Sequence, residues 1–107
     1  MNTTFDDRER AFEAEFAHDQ AMQFKAVTRR NKLLGLWAAE KLGKSGADAD
    51  AYALEVVKSD FEEAGDHDVF RKVRRDFDAA GVEQSDHQIR RTMDELLDQA
   101  VEQVKNA

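Results

Sequence analysis

The chain of 107 residues has no cysteine and no proline, five glycines, and a single tryptophan and tyrosine. Without cysteine there is no disulfide scaffold, no thiolate metal site and no cysteine nucleophile. Without proline and with so little glycine, the turn chemistry of an all-β protein is missing. No run approaches the eighteen or so apolar residues of a membrane span, so no membrane insertion is expected. The start, MNTTFDDRER, is acidic and polar where a secretory signal would be basic and then apolar, and the expectation is a cytoplasmic protein. What is present is 41% hydrophobic and 36% charged residues, enough apolar surface for one modest core in a largely wetted chain.

Glycines punctuate the hydrophobic pattern. Gly43, Gly65 and Gly81 each follow an apolar-periodic stretch, where a left-handed residue ends a helix. The last segment is the clearest. Ile89, Met93, Leu96, Leu97, Ala100, Val101 and Val104 recur at three- and four-residue steps behind Ser85, with Gln88 three residues on, which predicts a capped helix over 86–105. The third segment opens behind Asp66 and repeats Phe70, Val73, Phe77 and Ala80 before Gly81. The second predicts a helix over 49–64 behind Asp48, with Ala53, Val56, Val57, Phe61 and Ala64 inward. Short connections of two to five residues favour an all-α fold, an antiparallel four-helix bundle.

Nothing after Thr4 interrupts a helix until Gly43, a potential rod of about 38 residues or roughly 57 Å. Its apolar face is two stripes rather than one, because Asp19, Gln20 and Gln23 separate Phe5, Phe12 and Phe16 from Val27, Leu33, Leu34, Trp37, Ala38 and Leu42. The C-terminal stripe suits the fourth wall of a bundle, with Trp37 in its core. The N-terminal stripe is a candidate recognition peptide that orders when three aromatic anchors enter another protein's groove. The division expected is residues 1–19 as an arm and 20–107 as the bundle.

Charge follows the same division. Residues 1–24 carry Asp6, Asp7, Glu9, Glu13, Glu15 and Asp19 against Arg8 and Arg10, whereas residues 25–44 carry Lys25, Arg29, Arg30, Lys32, Lys41 and Lys44 against Glu40. The whole chain is formally -7, a poor balance for general nucleic-acid binding. Arg29, Arg30 and Lys32 form a local basic stretch that is either solvated or meets an acidic protein surface or a nucleotide phosphate.

Catalytic and metal motifs do not assemble. Gly43-Lys44-Ser45 mimics the end of a phosphate loop, but Ala38 stands where its first glycine belongs. Asp48 and Asp50 start like a calcium loop that Tyr52, Ala53 and Ser59 then fail to complete. Glu15 and His18 make one Glu-x-x-His where a di-iron bundle needs two, and His67 and His87 have no partner at ligand spacing. The reading is a non-enzyme that needs no cofactor, with a small binding module contacting nucleotide or nucleic acid through Arg29, Arg30 and Lys32 as the alternative.

Two stretches, TFDDRERAFEAEFAHD at 4–19 and RRNKLLGLWAAEKLGK at 29–44, resemble the zeta subunit family of the F-type ATP synthase of alphaproteobacteria. The resemblance implies a four-helix bundle carrying an N-terminal inhibitory arm that is mobile when free. That arm would enter a catalytic interface between the alpha and beta subunits, close to gamma, and stop ATP hydrolysis. Carried over, Phe5, Arg8, Arg10, Phe12 and Phe16 become its contacts, with Arg29, Arg30 and Lys32 beside them. A weak adenine-nucleotide contact stays open, and the location implied is peripheral to the inner membrane through the enzyme.

Overall fold

The computed structural model describes residues 19–107. They form four helices and no strand: α1 (Gln20–Lys41), α2 (Gly46–Ser59), α3 (His67–Ala80) and α4 (Asp86–Lys105). Each boundary has a local cause. Asp19 is extended (φ -127°, ψ 91°) and its carboxylate accepts the Met22 amide at 3.0 Å, so α1 starts at Gln20. The uninterrupted rod expected from Thr4 is therefore corrected at Asp19, whose short carboxylate satisfies an orphan amide better as a cap than as a helix-interior residue. At the other end Gly43 takes φ 78° while the Gly43 and Lys44 amides close on the carbonyls of Glu40 and Ala39, the left-handed stop that its position predicts.

The fourth helix agrees with its pattern. Ser85 Oγ accepts the Gln88 amide at 3.0 Å and Gln88 Oε1 accepts the Ser85 amide at 2.8 Å, a complete capping box. The second helix does not. It runs from Gly46 to Ser59 rather than over 49–64, and the stripe expected to continue through Phe61 and Ala64 ends in solvent, with Phe61 70% exposed. Ser59 turns its hydroxyl back onto the Val56 carbonyl at 2.7 Å, a bond that competes with helix propagation. The connection that follows, residues 60–66, is accordingly longer than expected.

α1 is the axis of the assembly and packs most extensively on α2 and α4. The main core gathers Leu34, Ala38, Tyr52, Val56, Val69, Val73, Phe77, Ile89 and Met93 from all four helices. Trp37 is half-buried and meets Phe77 edge to face at 5.6 Å. Ala80, expected inside, is exposed, and Leu96 is only partly buried. A second, smaller cluster of Ala26 and Val104, with Met22 and Val101, joins the start of α1 to the end of α4. The α1–α2 crossing depends on Gly35, where a Cβ would lie 2.5 Å from the Ala53 Cα. No described helix is long and apolar enough to cross a membrane.

Candidate functional site

The basic stretch of α1 illustrates how helical geometry sorts neighbours. Successive residues turn by about 100°, so Arg29 and Lys32 share a face that Arg30 does not. Arg29 and Lys32 are exposed, and Arg29 donates to Gln103 Oε1 on α4 at 3.2 Å. Arg30 is 4% exposed. Its Nε donates to Asn31 Oδ1 at 2.7 Å, and its Nη1 lies 4.0 Å from Asp66 Oδ2. Burial pushes the Arg30 pKa below its ordinary value, against the opposing fields of Asp66, Asp60 and Asp94. The three-residue basic face expected from the sequence is thus two residues wide, and the third is built into the fold.

Arg30 belongs to a polar layer between α1, the 60–66 connection and the starts of α3 and α4. Asn31 and Asp68 are its other buried members. Asp68 Oδ2 accepts the Glu63 amide at 3.1 Å and its Oδ1 the Val69 amide at 2.9 Å, which fastens the connection to α3. Asp66 caps α3 by position only; its side chain instead receives Arg90 Nη1 at 2.9 Å. Arg90 also stacks over Phe70, 4.4 Å from the ring centroid, and reaches His67 Nδ1 at 3.1 Å. Desolvation raises the Asp60 pKa, with a hydrogen bond from Asn31 acting the other way. Among the described residues no buried side-chain polar atom lacks a partner. A layer so fully satisfied holds a loop in place and leaves nothing directed at a ligand.

A second polar group ties α2 to α3. Tyr52, buried in the core, donates its hydroxyl to Asp76 Oδ2 at 2.8 Å, and Lys72 bridges Asp76 and Glu55, each at 2.8 Å. Burial and the Asp76 hydrogen bond push the Tyr52 pKa far above the ordinary phenol value. Lys44 of the supposed phosphate loop lies over the same ring, 6.0 Å from its centroid, and Ser45 is the N-cap residue of α2. Asp48 and Asp50 are ordinary α2 residues on the exposed side. Among the described residues no group of three His, Asp or Glu could hold a metal ion.

A concave surface of the described residues lies where α1 begins, α2 crosses and α4 ends. It is an open groove of about 1120 Å³ whose lining includes Met22, Ala53, Leu54, Val57 and Val104. Lys25, Arg29 and Lys32 of α1 line it too, with Asp50 among the rest. Phe24 and Leu54, which also line it, are 60% and 53% exposed. The sequence reading missed the groove, because it is made by residues of α1, α2 and α4 that only the crossing brings together. Charge patterning did mark one wall of it, the Arg29 and Lys32 side of α1. Phe5, Arg8, Arg10, Phe12 and Phe16, together with Glu15 and His18, lie outside the described residues.

Comparison with known proteins adds two findings. A family model described as ATPase inhibitor subunit zeta matches residues 2–103. A protein solved by solution NMR is 52% identical, covers 80% of this chain and 98% of its own, and superposes with a TM-score of 0.72. No curated protein matches.

Proposed function

The chain belongs to the ATPase inhibitor subunit zeta family, and from that premise we propose that it stops ATP hydrolysis by the F-type ATP synthase through its N-terminal arm, residues 1–19. The arm enters a catalytic interface of the alpha and beta subunits as a helix, near gamma, with Phe5, Phe12 and Phe16 in apolar pockets and Arg8 and Arg10 beside them. Each phenylalanine contributes roughly 1.5–3 kcal/mol of burial before the cost of ordering the arm. Hydrolysis requires the interfaces to open and close in turn, so a helix held in one conformation binds that state better than the next and stalls the cycle. The inhibitor performs no chemistry in this mechanism.

The observation that carries the reading is the extent of the family match, 2–103, which takes in the arm as well as the bundle. The exposed pair Arg29 and Lys32 supports it as a surface for an acidic face of the enzyme, raising the rate of encounter. Arg30 takes no part in that contact, since its guanidinium is committed inside. Its burial also weakens the alternative of a phosphate-binding stripe through Arg29, Arg30 and Lys32. Association with the ATP synthase would hold the protein at the membrane.

The test is direct. The purified chain is titrated into the matching ATPase head and hydrolysis is followed alongside a chain that begins at Gln20. Inhibition by the full chain and its loss in the shorter one supports the proposal. Equal inhibition by both removes the arm from the mechanism.

A further inference from the structure

We propose that the groove between α1 and α2 takes an acidic amphipathic helix of the ATPase, so that the bundle holds the enzyme at a point separate from the arm. This rests on the inhibitory role given above and names the acidic face that Arg29 and Lys32 meet. The first argument is shape. Lys25, Arg29 and Lys32 follow one another at steps of four and three residues along one face of α1, and Ala53, Leu54 and Val57 share one face of α2; both rows line the same groove. From Lys25 to Lys32 is two turns, about 10 Å of helix axis. Two helical faces side by side make a trough into which the side-chain ridges of a third helix pack.

The second argument is charge and exposure. Acids outnumber bases in the whole chain, 23 to 16, yet the groove is lined by four basic residues and a single acid, Asp50. Among the described residues Lys25, Arg29 and Lys32 are in no ion pair. Phe24 and Leu54, which also line it, are left largely uncovered. A basic wall beside uncovered apolar side chains is complementary to a helix whose apolar stripe is flanked by aspartate or glutamate, docked at three- and four-residue spacing. A second copy of the chain is a poorer occupant, because two molecules of charge -7 repel each other.

The third argument is position. The described bundle meets the arm at Asp19, and Met22, one turn on, lines the groove. An enzyme that holds the arm therefore presents its surface at the mouth of the trough. Once the arm is held, the bundle meets its own site at an effective concentration in the millimolar range, so even a weak helix contact slows release.

The experiment uses the full chain and the purified ATPase head. Because the chain has no cysteine, Asp50→Cys places a single benzophenone at the groove, and Ala79→Cys, exposed on α3 and outside the groove, is the comparison. On irradiation of the complex, the label at position 50 should join a segment of an enzyme subunit in which acids flank apolar residues at helical spacing, and the label at position 79 should not. In the unlabelled chain, Leu54→Glu and the pair Lys25→Glu with Lys32→Glu should each raise the inhibition constant by about tenfold. The same reversal outside the groove, Arg75→Glu with Arg91→Glu, should change it by about twofold or less. Should a groove variant melt early, the cross-link decides alone. Joining of the position 50 label to residues 1–18, to a second copy, or to a basic enzyme segment overturns the proposal. Full inhibition with no cross-link to the enzyme overturns the groove contact and leaves the inhibitory role standing. A cross-link to an acidic helix by a chain that does not inhibit does the reverse.

Discussion

Gly35→Ala is the change in which local and tertiary physics disagree most sharply. Alanine in a helix interior is ordinarily about 1 kcal/mol better than glycine, and Gly35 is well inside α1. The added methyl, however, would lie 2.5 Å from Ala53 Cα, 3.1 Å from its Cβ and 3.3 Å from its carbonyl oxygen. Carbon atoms settle at about 3.5–4.0 Å, so α1 and α2 must part by about 1 Å or more at the crossing. Ala53 Cα is backbone and cannot rotate away. Overpacking of this kind costs about 1–3 kcal/mol or somewhat more, and separating the helices also loosens Leu34, Ala38, Tyr52 and Val56 around it. The net expectation is a loss of up to about 2 kcal/mol, after the propensity gain is subtracted. For a domain of this size that lowers Tm by up to about 16 °C. Urea melts of the parent, Gly35→Ala and Gly35→Ala with Ala53→Gly would measure it. The second change removes the Ala53 methyl but leaves its Cα, so it should not rescue. A rise in stability for Gly35→Ala, or full rescue by Ala53→Gly, would refute the backbone contact.

Four further outcomes are expected. Phe12→Ala should weaken inhibition of hydrolysis by about 10-fold or more, at roughly 1.4 kcal/mol per decade, while leaving the melt of the bundle nearly unchanged; a large Tm drop with full inhibition would make the residue structural. Arg30→Ala should cost about 1–3 kcal/mol in chemical denaturation, since Asn31 Oδ1 loses its buried donor, whereas Lys32→Ala should cost almost nothing. Asp60 has a raised folded pKa, so its ionised form opposes folding above its ordinary value of 3.8 and the penalty fades as pH falls through the raised pKa. Asp60→Asn should therefore stabilise at pH 7 by an amount that disappears below about pH 3.5, which thermal melts across pH would follow. Tyr52→Phe removes the hydrogen bond to Asp76 and should lower stability by about 1 kcal/mol.

The sequence by itself determined that the chain is helical, where α4 begins and ends, and that Gly43 and Gly81 stop helices. Those properties are local. A capping box, a 3.6-residue apolar period and a glycine at positive φ act through neighbours a few residues away, so the pattern carries the answer. Asp19, read in the sequence as one of the residues parting the phenylalanine stripe from the core stripe, proves to cap α1, while the phenylalanines themselves lie outside the described residues. Charge patterning marked residues 29–32 as a candidate surface without resolving its faces. Only the tertiary structure decided that Arg30 turns inward while Arg29 and Lys32 turn out, because burial is set by what packs on each face: Asn31 beside it and Asp66 of the 60–66 connection supply the partners that make a buried guanidinium tolerable. It also decided that α2 ends at Ser59 and leaves Phe61 in solvent, that Gly35 permits a backbone contact with Ala53, and that a basic-walled groove exists at all. Each of these depends on residues brought together from different helices, and no periodicity within one segment encodes a distance between two.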